Sequence, residues 1–272
     1  MSISLVSDQK IAETSSKGNQ EKWYDAGTNS WYKLDQFGYE ALAEMVISQL
    51  LEQSNIERDT QFTFLRYRME TLRVHGRKRT GCVSPNFLKE GQSIITLNHL
   101  LSRCLGMPLR DKLVRLPSDR RRIAYLAEAT ADCTGLTDFP RYLTLLFEVD
   151  ALFCNDDRHL NNIAVLQENG VYSYCPIFDN GAGLLSNTQL SRMDIEPAAL
   201  IAALKARPFL TTFTRQRNTA RSLFGPQLRM PLLTAAEIRE VLFPALEFYP
   251  ARDRGTITDR VTACILLRQK AK

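Results

Sequence analysis

A chain of 272 residues that is 44% hydrophobic and 24% charged carries enough apolar side chains to bury a core without disulfide or metal staples. That excludes a disordered, collagen-like or coiled-coil polypeptide and allows one large domain or two lobes. Thirty-five Lys and Arg against 30 Asp and Glu leave a net charge of +5, a mild excess that argues against direct contact with nucleic acid.

No apolar run reaches the roughly 18 residues of a membrane span, so no membrane insertion is expected. The first residues show no basic segment followed by an apolar one, so no secretory signal is expected. The six cysteines, at 82, 104, 133, 154, 175 and 264, form no Cys-x-x-Cys pair. They fit neither a disulfide framework nor a zinc site and point to a reducing cytoplasm. Two basic clusters, Arg73 with Arg77–Arg79 and Arg120–Arg122, read as solvated faces, with contact to a polyanion as the sharper alternative.

Residues 15–22 are small and polar and read as a loop. Lys22–Tyr24 and Trp31–Lys33 flank Gly27–Ser30, which predicts two short strands joined by a turn. From Tyr39 to Leu51 the apolar residues recur with the 3.6-residue period of an amphipathic helix. Residues 61–70 alternate enough to predict a strand, and Gly81–Leu88, with Pro85, reads as a turn-rich connection. Thr96–Cys104, Arg121–Asp132 and the apolar Leu143–Phe153 predict helices, the last one buried. Ile163–Leu166, the turn at 167–170 and Val171–Phe178 predict a β-hairpin. Beyond Gly183 the pattern is helical again, most clearly at Glu237–Phe248, with a kink or break at Pro244, and at Thr258–Leu267. The order predicts an α+β, bilobal architecture. Residues 1–88 would form a small β-rich lobe and 89–272 a larger helical lobe, with the boundary between Gly81 and Gln92.

Polar clusters bracket the hairpin: Asn155–Asn162 before it and Asp179-Asn180-Gly181 after it. A hairpin returns its second strand beside the start of its first, which carries Asp179 close to Asn162. A carboxylate and an amide oxygen side by side make a hard-oxygen site suited to Mg²⁺ shared with phosphates. Asp157 stands five residues before Asn162, the spacing between the proton-accepting Asp and the metal-binding Asn of phosphoryl-transfer loops. Taken alone, such Asp/Asn clusters are mostly turns; the buried helix before this one and the hairpin after it favour the catalytic reading.

Asp157-Arg158-His159-x-x-Asn162-Ile163 resembles the catalytic loop of phosphoinositide 3/4-kinases and the Asp-x-His-x-x-Asn loop of the HipA-like bacterial Ser/Thr kinases, which share that fold. Pro176-Ile177-Phe178-Asp179 resembles the metal-binding strand of the HipA-like proteins, and Gly18-Asn19-Gln20-Glu21-Lys22 their phosphate loop. The matches run in the family's order over residues 15–185. The resemblance implies a bilobal protein-kinase-like (phosphoinositide 3/4-kinase-like) fold, ATP and Mg²⁺ as cofactors, Asp157 as general base or substrate-orienting carboxylate, and His159 near the transferred phosphate. Asn162 and Asp179 would bind the metal, and Lys33 would hold the α- and β-phosphates. A helix glutamate would pair with Lys33, Glu44 being chosen and Glu40 the alternative. Ser15, Ser16, Lys17, Gly18, Asn19, Gln20 and Lys22 would cradle phosphate through backbone N–H groups, with Ser15, or else Ser16, as an autophosphorylation site. The partners implied are a protein substrate and an antitoxin or other regulatory protein. The chain is shorter than HipA itself and is expected to lack its extra N-terminal subdomain, and Asn161 stands where the family usually carries Lys. Phosphoryl transfer to a lipid headgroup or other small alcohol is the alternative function, and a non-catalytic nucleotide-binding module ranks below it.

Overall fold

Lys22–Asp25 (β1) and Ser30–Leu34 (β2) pair antiparallel, with Trp23 opposite Tyr32. β2 pairs in turn with Arg77–Pro85 (β4), and β4 with Arg68–Val74 (β3), giving a four-stranded antiparallel sheet in the order β1-β2-β4-β3. The computed structural model describes residues 21–74 and 76–271. Alternation along β2 sends Tyr32 and Leu34 into an apolar cluster with Trp23, Leu72 and Val83. Lys33, between them, is carried to the opposite face.

That face lies against the helix Glu40–Leu51 (α1). The helix was expected to be amphipathic, yet all but one of its residues are buried. Its far side is covered by the helix Ala235–Leu246 (α9), so no polar stripe faces water. A single turn, Ile56–Asp59 (α2), follows.

Ser93–Thr96 (β5), Ala164–Glu168 (β6) and Val171–Tyr174 (β7) form a second, three-stranded antiparallel sheet. Around it stand Leu97–Leu105 (α3), Leu109–Val114 (α4), Asp119–Thr134 (α5) and Phe139–Phe153 (α6). Pro197–Ala203 (α7), Phe213–Phe224 (α8), α9 and Ala251–Lys270 (α10) complete this part. α6 is buried along nearly its whole length and packs against α5, α8 and α10. The result is a small antiparallel sheet region and a larger helical part.

Five expectations need correction. Residues 81–88 are not a turn-rich connection: Gly81–Pro85 ends β4, between β2 and β3 in the sheet. Gly81 marks a close approach, since a Cβ there would lie 2.3 Å from the Lys33 carbonyl oxygen. The strand expected at 61–70 begins only at Arg68; upstream, Phe64 makes an isolated parallel bridge to Ile177. β7 ends at Tyr174, not Phe178, because residues 175–178 leave β6 to reach that bridge. The first helix after Gly183 starts only at Pro197, and Pro244 sits inside α9 without ending it.

Asp35, just past β2, joins three elements. Its Oδ1 accepts the Ala41 N–H at the start of α1 (2.6 Å), and its Oδ2 accepts the Tyr249 hydroxyl from the α9–α10 junction (2.7 Å). Burial pushes this carboxyl up to about 7, against the pull of those two hydrogen bonds. A carboxyl raised from about 3.9 in the unfolded chain favours the folded state fully below that value and loses the advantage as pH rises through 7. Asp35→Asn therefore flattens this decline: urea unfolding from pH 4 to 8 should show wild type losing stability relative to the variant. Parallel profiles would rule out the raised carboxyl.

Candidate active site

The loop between α6 and β6 starts from an unusual backbone. α6 ends on Cys154, a non-glycine residue in the left-handed region (φ 56°), whose N–H returns to the Asp150 carbonyl. The following turn is closed by His159 N–H to Asp157 O (2.7 Å) and Asn162 N–H to His159 O (2.8 Å). β6 and β7 are joined through Asn169 (φ 50°) and Gly170 (φ 81°), the paired positive φ values that a tight hairpin turn requires. Residues 176–178 then run beside 63–65, with Leu65 N–H to Ile177 O at 2.9 Å and Ile177 N–H to Thr63 O at 2.8 Å. The chain next turns sharply at Asp179, also left-handed (φ 60°).

Lys33, 7% exposed, donates from Nζ to Glu44 Oε1 and to Asp179 Oδ1 (2.8 Å), joining β2, α1 and the turn after the hairpin. Glu44 is fully buried, and its other oxygen accepts the Asn180 N–H at 2.9 Å. Lys22 Nζ stands 3.8 Å from Asp179 Oδ1. Burial opposes ionisation of Asp179, but the Lys22 and Lys33 ammoniums outweigh it and hold the carboxyl well below its ordinary range. Lys33 shows the reverse balance: burial lowers its pKa, and the Asp179 and Glu44 carboxylates more than restore it. Lys22 differs again, because burial wins over Asp179 and its pKa is lowered. Glu40, the alternative partner, does not reach Lys33. Its carboxylate accepts the N–H groups of Gln36, Phe37 and Gly38 at 2.8–3.3 Å and shapes the entry to α1.

Arg158 fastens the two loops from within and is fully buried. Its Nη2 donates to Asp150 Oδ1 (3.1 Å) and Asn180 Oδ1 (2.6 Å), and its Nη1 donates to the carbonyls of Asn162 (3.2 Å) and Phe178 (2.6 Å). Asn155 Nδ2 adds bonds to Asp150 Oδ1 (3.1 Å) and to the Asp179 carbonyl (3.3 Å). One guanidinium thus sets the spacing between the residue carrying Asn162 and the residue preceding Asp179.

The site's outer edge is more open. Asp157 has a side chain 49% exposed, with His159 Nε2 at 3.8 Å from one carboxylate oxygen and Arg207 Nε at 4.0 Å from the other. Burial raises the Asp157 pKa, and the His159 and Arg207 charges offset part of the rise. Neighbouring Asp156 is pushed up to about 6 by burial and by the Asp157 charge.

Asn162 donates from Nδ2 to the Asp157 carbonyl (2.9 Å), but its Oδ1 is buried and has no hydrogen-bond partner. An orphaned acceptor costs about 1–3 kcal/mol of desolvation. Asn162 and Asp179 border the same cleft, and an amide oxygen close to a carboxylate is a donor set that fits a hard divalent cation. Among the described residues no three His, Cys, Asp or Glu side chains converge, so such a cation would take further oxygens from a substrate.

A polar cleft of about 310 Å³ contains Lys22, Asp157, Asn162, Asp179 and Arg207. Lys22 and Lys33 also border an apolar slot formed by Trp31, Leu65, Tyr67, Phe87, Ile94 and Phe178. The structure therefore gathers Lys22, Lys33, Glu44, Asp157, Asn162 and Asp179, with His159 beside Asp157. Ser15, Ser16, Lys17, Gly18, Asn19 and Gln20 lie outside the described residues. Sequence reasoning missed the apolar slot, Arg207 and the buried Asp150–Arg158–Asn180 group. Asp150 was the available signal, since a carboxylate in a buried helix needs a buried partner. Arg158→Met leaves Asp150 buried and unpaired and should cost about 3–5 kcal/mol. Adding Asp150→Leu should recover much of that loss. Urea unfolding of both variants checks this; equal stabilities would mean that the pair is not coupled.

Comparison with known proteins rests on structure. No protein-family model and no curated protein matches the chain. The fold is similar to the Helicobacter pylori proinflammatory kinase CtkA, with a TM-score of 0.58 and 14% identity over 94% of this chain and 89% of that one. It is also similar to Shewanella oneidensis HipA, solved with HipB and operator DNA, with a TM-score of 0.51 and 13% identity. That match covers 94% of this chain and 64%, less than two thirds, of the HipA chain. At these identities the likeness is one of architecture: the chain has the fold of the HipA-like kinases.

Proposed function

We propose that the protein is an ATP- and Mg²⁺-dependent Ser/Thr protein kinase of the HipA-like type. The observation that carries this is the Lys33 ammonium shared by Glu44 and Asp179, beside an unpartnered Asn162 Oδ1, where polar cleft and apolar slot meet. In this reading the apolar slot takes the adenine. Lys33 and Lys22 hold the phosphates. Asn162 and Asp179 would hold Mg²⁺, which would supply charge neutralisation at the phosphates. Asp157, at the exposed edge, orients the acceptor hydroxyl and takes its proton. His159 supports the transferred group, and Arg158 keeps the two loops in register without touching substrate. Regulation by an antitoxin-type partner belongs to this reading as the arrangement seen for the Shewanella protein.

Incubation with labelled ATP and Mg²⁺ should label the protein itself, with phosphate mapping to Ser15 or Ser16. Asp157→Ala should reduce labelling about a hundredfold or more. Lys33→Met and Asp179→Asn should do likewise, and chelation of the metal should abolish it. Equal labelling by Asp157→Ala would overturn the catalytic assignment. Label passing to an added lipid or small alcohol but never to protein would favour the alternative acceptor.

A further inference from the structure

Past Asp179 the chain runs along the polar cleft. Leu185, Ser186, Asn187, Leu190 and Ser191 border it, and none of them borders the apolar slot. Asp157 lines the cleft and not the slot in the same way. With the slot taken by the base, this segment flanks the acceptor rather than the nucleotide.

Backbone bonds lace the segment to the sheet region. Gly38 and Asn187 form an antiparallel bridge, the Tyr39 N–H donates to the Ser186 carbonyl (3.2 Å), and the Thr188 N–H donates to the Phe37 carbonyl (3.0 Å). The approach is so close that a Cβ at Gly38 would collide with the Ser186 carbonyl oxygen. Arg260 of α10, 3% exposed, gathers the same segment. Its Nη2 donates to the carbonyls of Ser191 (2.5 Å) and Leu185 (3.4 Å), its Nη1 to the Arg192 carbonyl (3.0 Å), and its Nε to the Tyr39 hydroxyl (3.1 Å). That hydroxyl donates onward to the Leu184 carbonyl (2.9 Å). Leu184 and Leu185 are both buried and both left-handed (φ 58° and 59°). A side chain disfavours that conformation, which persists only where surrounding bonds over-determine it. Arg260 and Tyr39 supply such bonds on the two carbonyls.

In protein kinases a Lys–Glu pair and a metal-binding Asp must both be in place, and phosphorylation of the following segment, read by arginine, commonly brings this about. Here the arginine binds the segment's own carbonyls. The hydroxyls of Ser186 and Thr188 are spent on the carbonyls of Gly181 (2.5 Å) and Phe37 (2.8 Å). The Lys33–Glu44 pair is made in the same unphosphorylated chain. Resting on the phosphoryl-transfer reading, we propose that Arg260 is a positioning residue. It holds residues 184–192 as a preassembled wall for the acceptor, so transfer does not wait on modification of this segment. Arg260 acts through Leu185 and Ser191, which border the cleft, and touches no substrate itself.

The first test needs no transfer activity. In the phosphatase-treated full chain without ATP, the amides of Leu184, Ser186 and Thr188, which all have acceptors, should exchange slowly with deuterium, and Arg260→Met should speed them about tenfold or more. Fast exchange in wild type would overturn the preassembled wall. The second test is labelled ATP with a synthetic peptide of residues 8–22, which carries Ser15 and Ser16. Phosphatase-treated wild type should label the peptide without a lag, and a lag would overturn the proposal. Arg260→Met should raise the peptide KM about tenfold with the ATP KM within about twofold. Arg260→Lys, which keeps the charge but not the planar fork, should fall between. If Arg260→Met fails to fold, Tyr39→Phe decides, with the peptide KM up about fivefold for the lost bond to Leu184. An unchanged peptide KM, or peptide and ATP KM rising together, would overturn the positioning role and leave the kinase reading standing. No label on the peptide from wild type would overturn the acceptor wall, and no self-labelling either would overturn the kinase reading with it.

Discussion

The arrangement of this protein depends on one buried ammonium. Lys33 is withdrawn from water, and a lone charge there would be prohibitively expensive. Glu44 and Asp179 both pair with it, which leaves one negative charge in excess, and Lys22, 3.8 Å from Asp179, reduces that excess. Three segments remote in sequence are therefore held to one point. Neither β2, α1 nor the turn at Asp179 can shift without exposing a bare charge to low dielectric. Because the cluster borders both the polar cleft and the apolar slot, the same constraint that holds the sheet region to the helical part also forms the floor of the site.

Arg158 applies the same physics one layer deeper, spending its guanidinium on one carboxylate, one amide and two backbone carbonyls. The two carbonyls and the Asn180 amide lie at the turns on either side of the hairpin, where backbone and side-chain acceptors need a buried donor. The contrast with the outer edge is functional. Asp157 and His159 remain partly open to solvent, as the proposed role of meeting an incoming hydroxyl requires, while the buried Arg158 beneath them is closed off.

Several features were legible in the sequence because their causes are local. Asn169-Gly170 between two β-rich runs specifies a tight hairpin, since few other pairs accept two successive positive φ values. The apolar period of residues 39–51 specifies a helix, and the hairpin logic brings Asp179 back toward Asn162. Features with non-local causes were misread. Gly81 looks like a turn residue, yet it is required by the approach of a neighbouring backbone from β2. Residues 175–178 look like a continuing strand, yet their hydrogen bonds go to residues 63–65.

What the sequence by itself determined is the list of chemical groups and the short-range geometry that presents them: the Asp157–Asn162 spacing, the hairpin, and the strand and helix that carry Lys33 and Glu44. What only the tertiary structure decided is which charges meet. It set Glu44 rather than Glu40 on Lys33, closed Asp150 and Asn180 around Arg158, and left Asn162 Oδ1 and Arg268 Nη2 without hydrogen-bond partners. Partner choice among buried charges depends on desolvation and on distances between segments far apart in the chain, and neither quantity exists until the chain has packed.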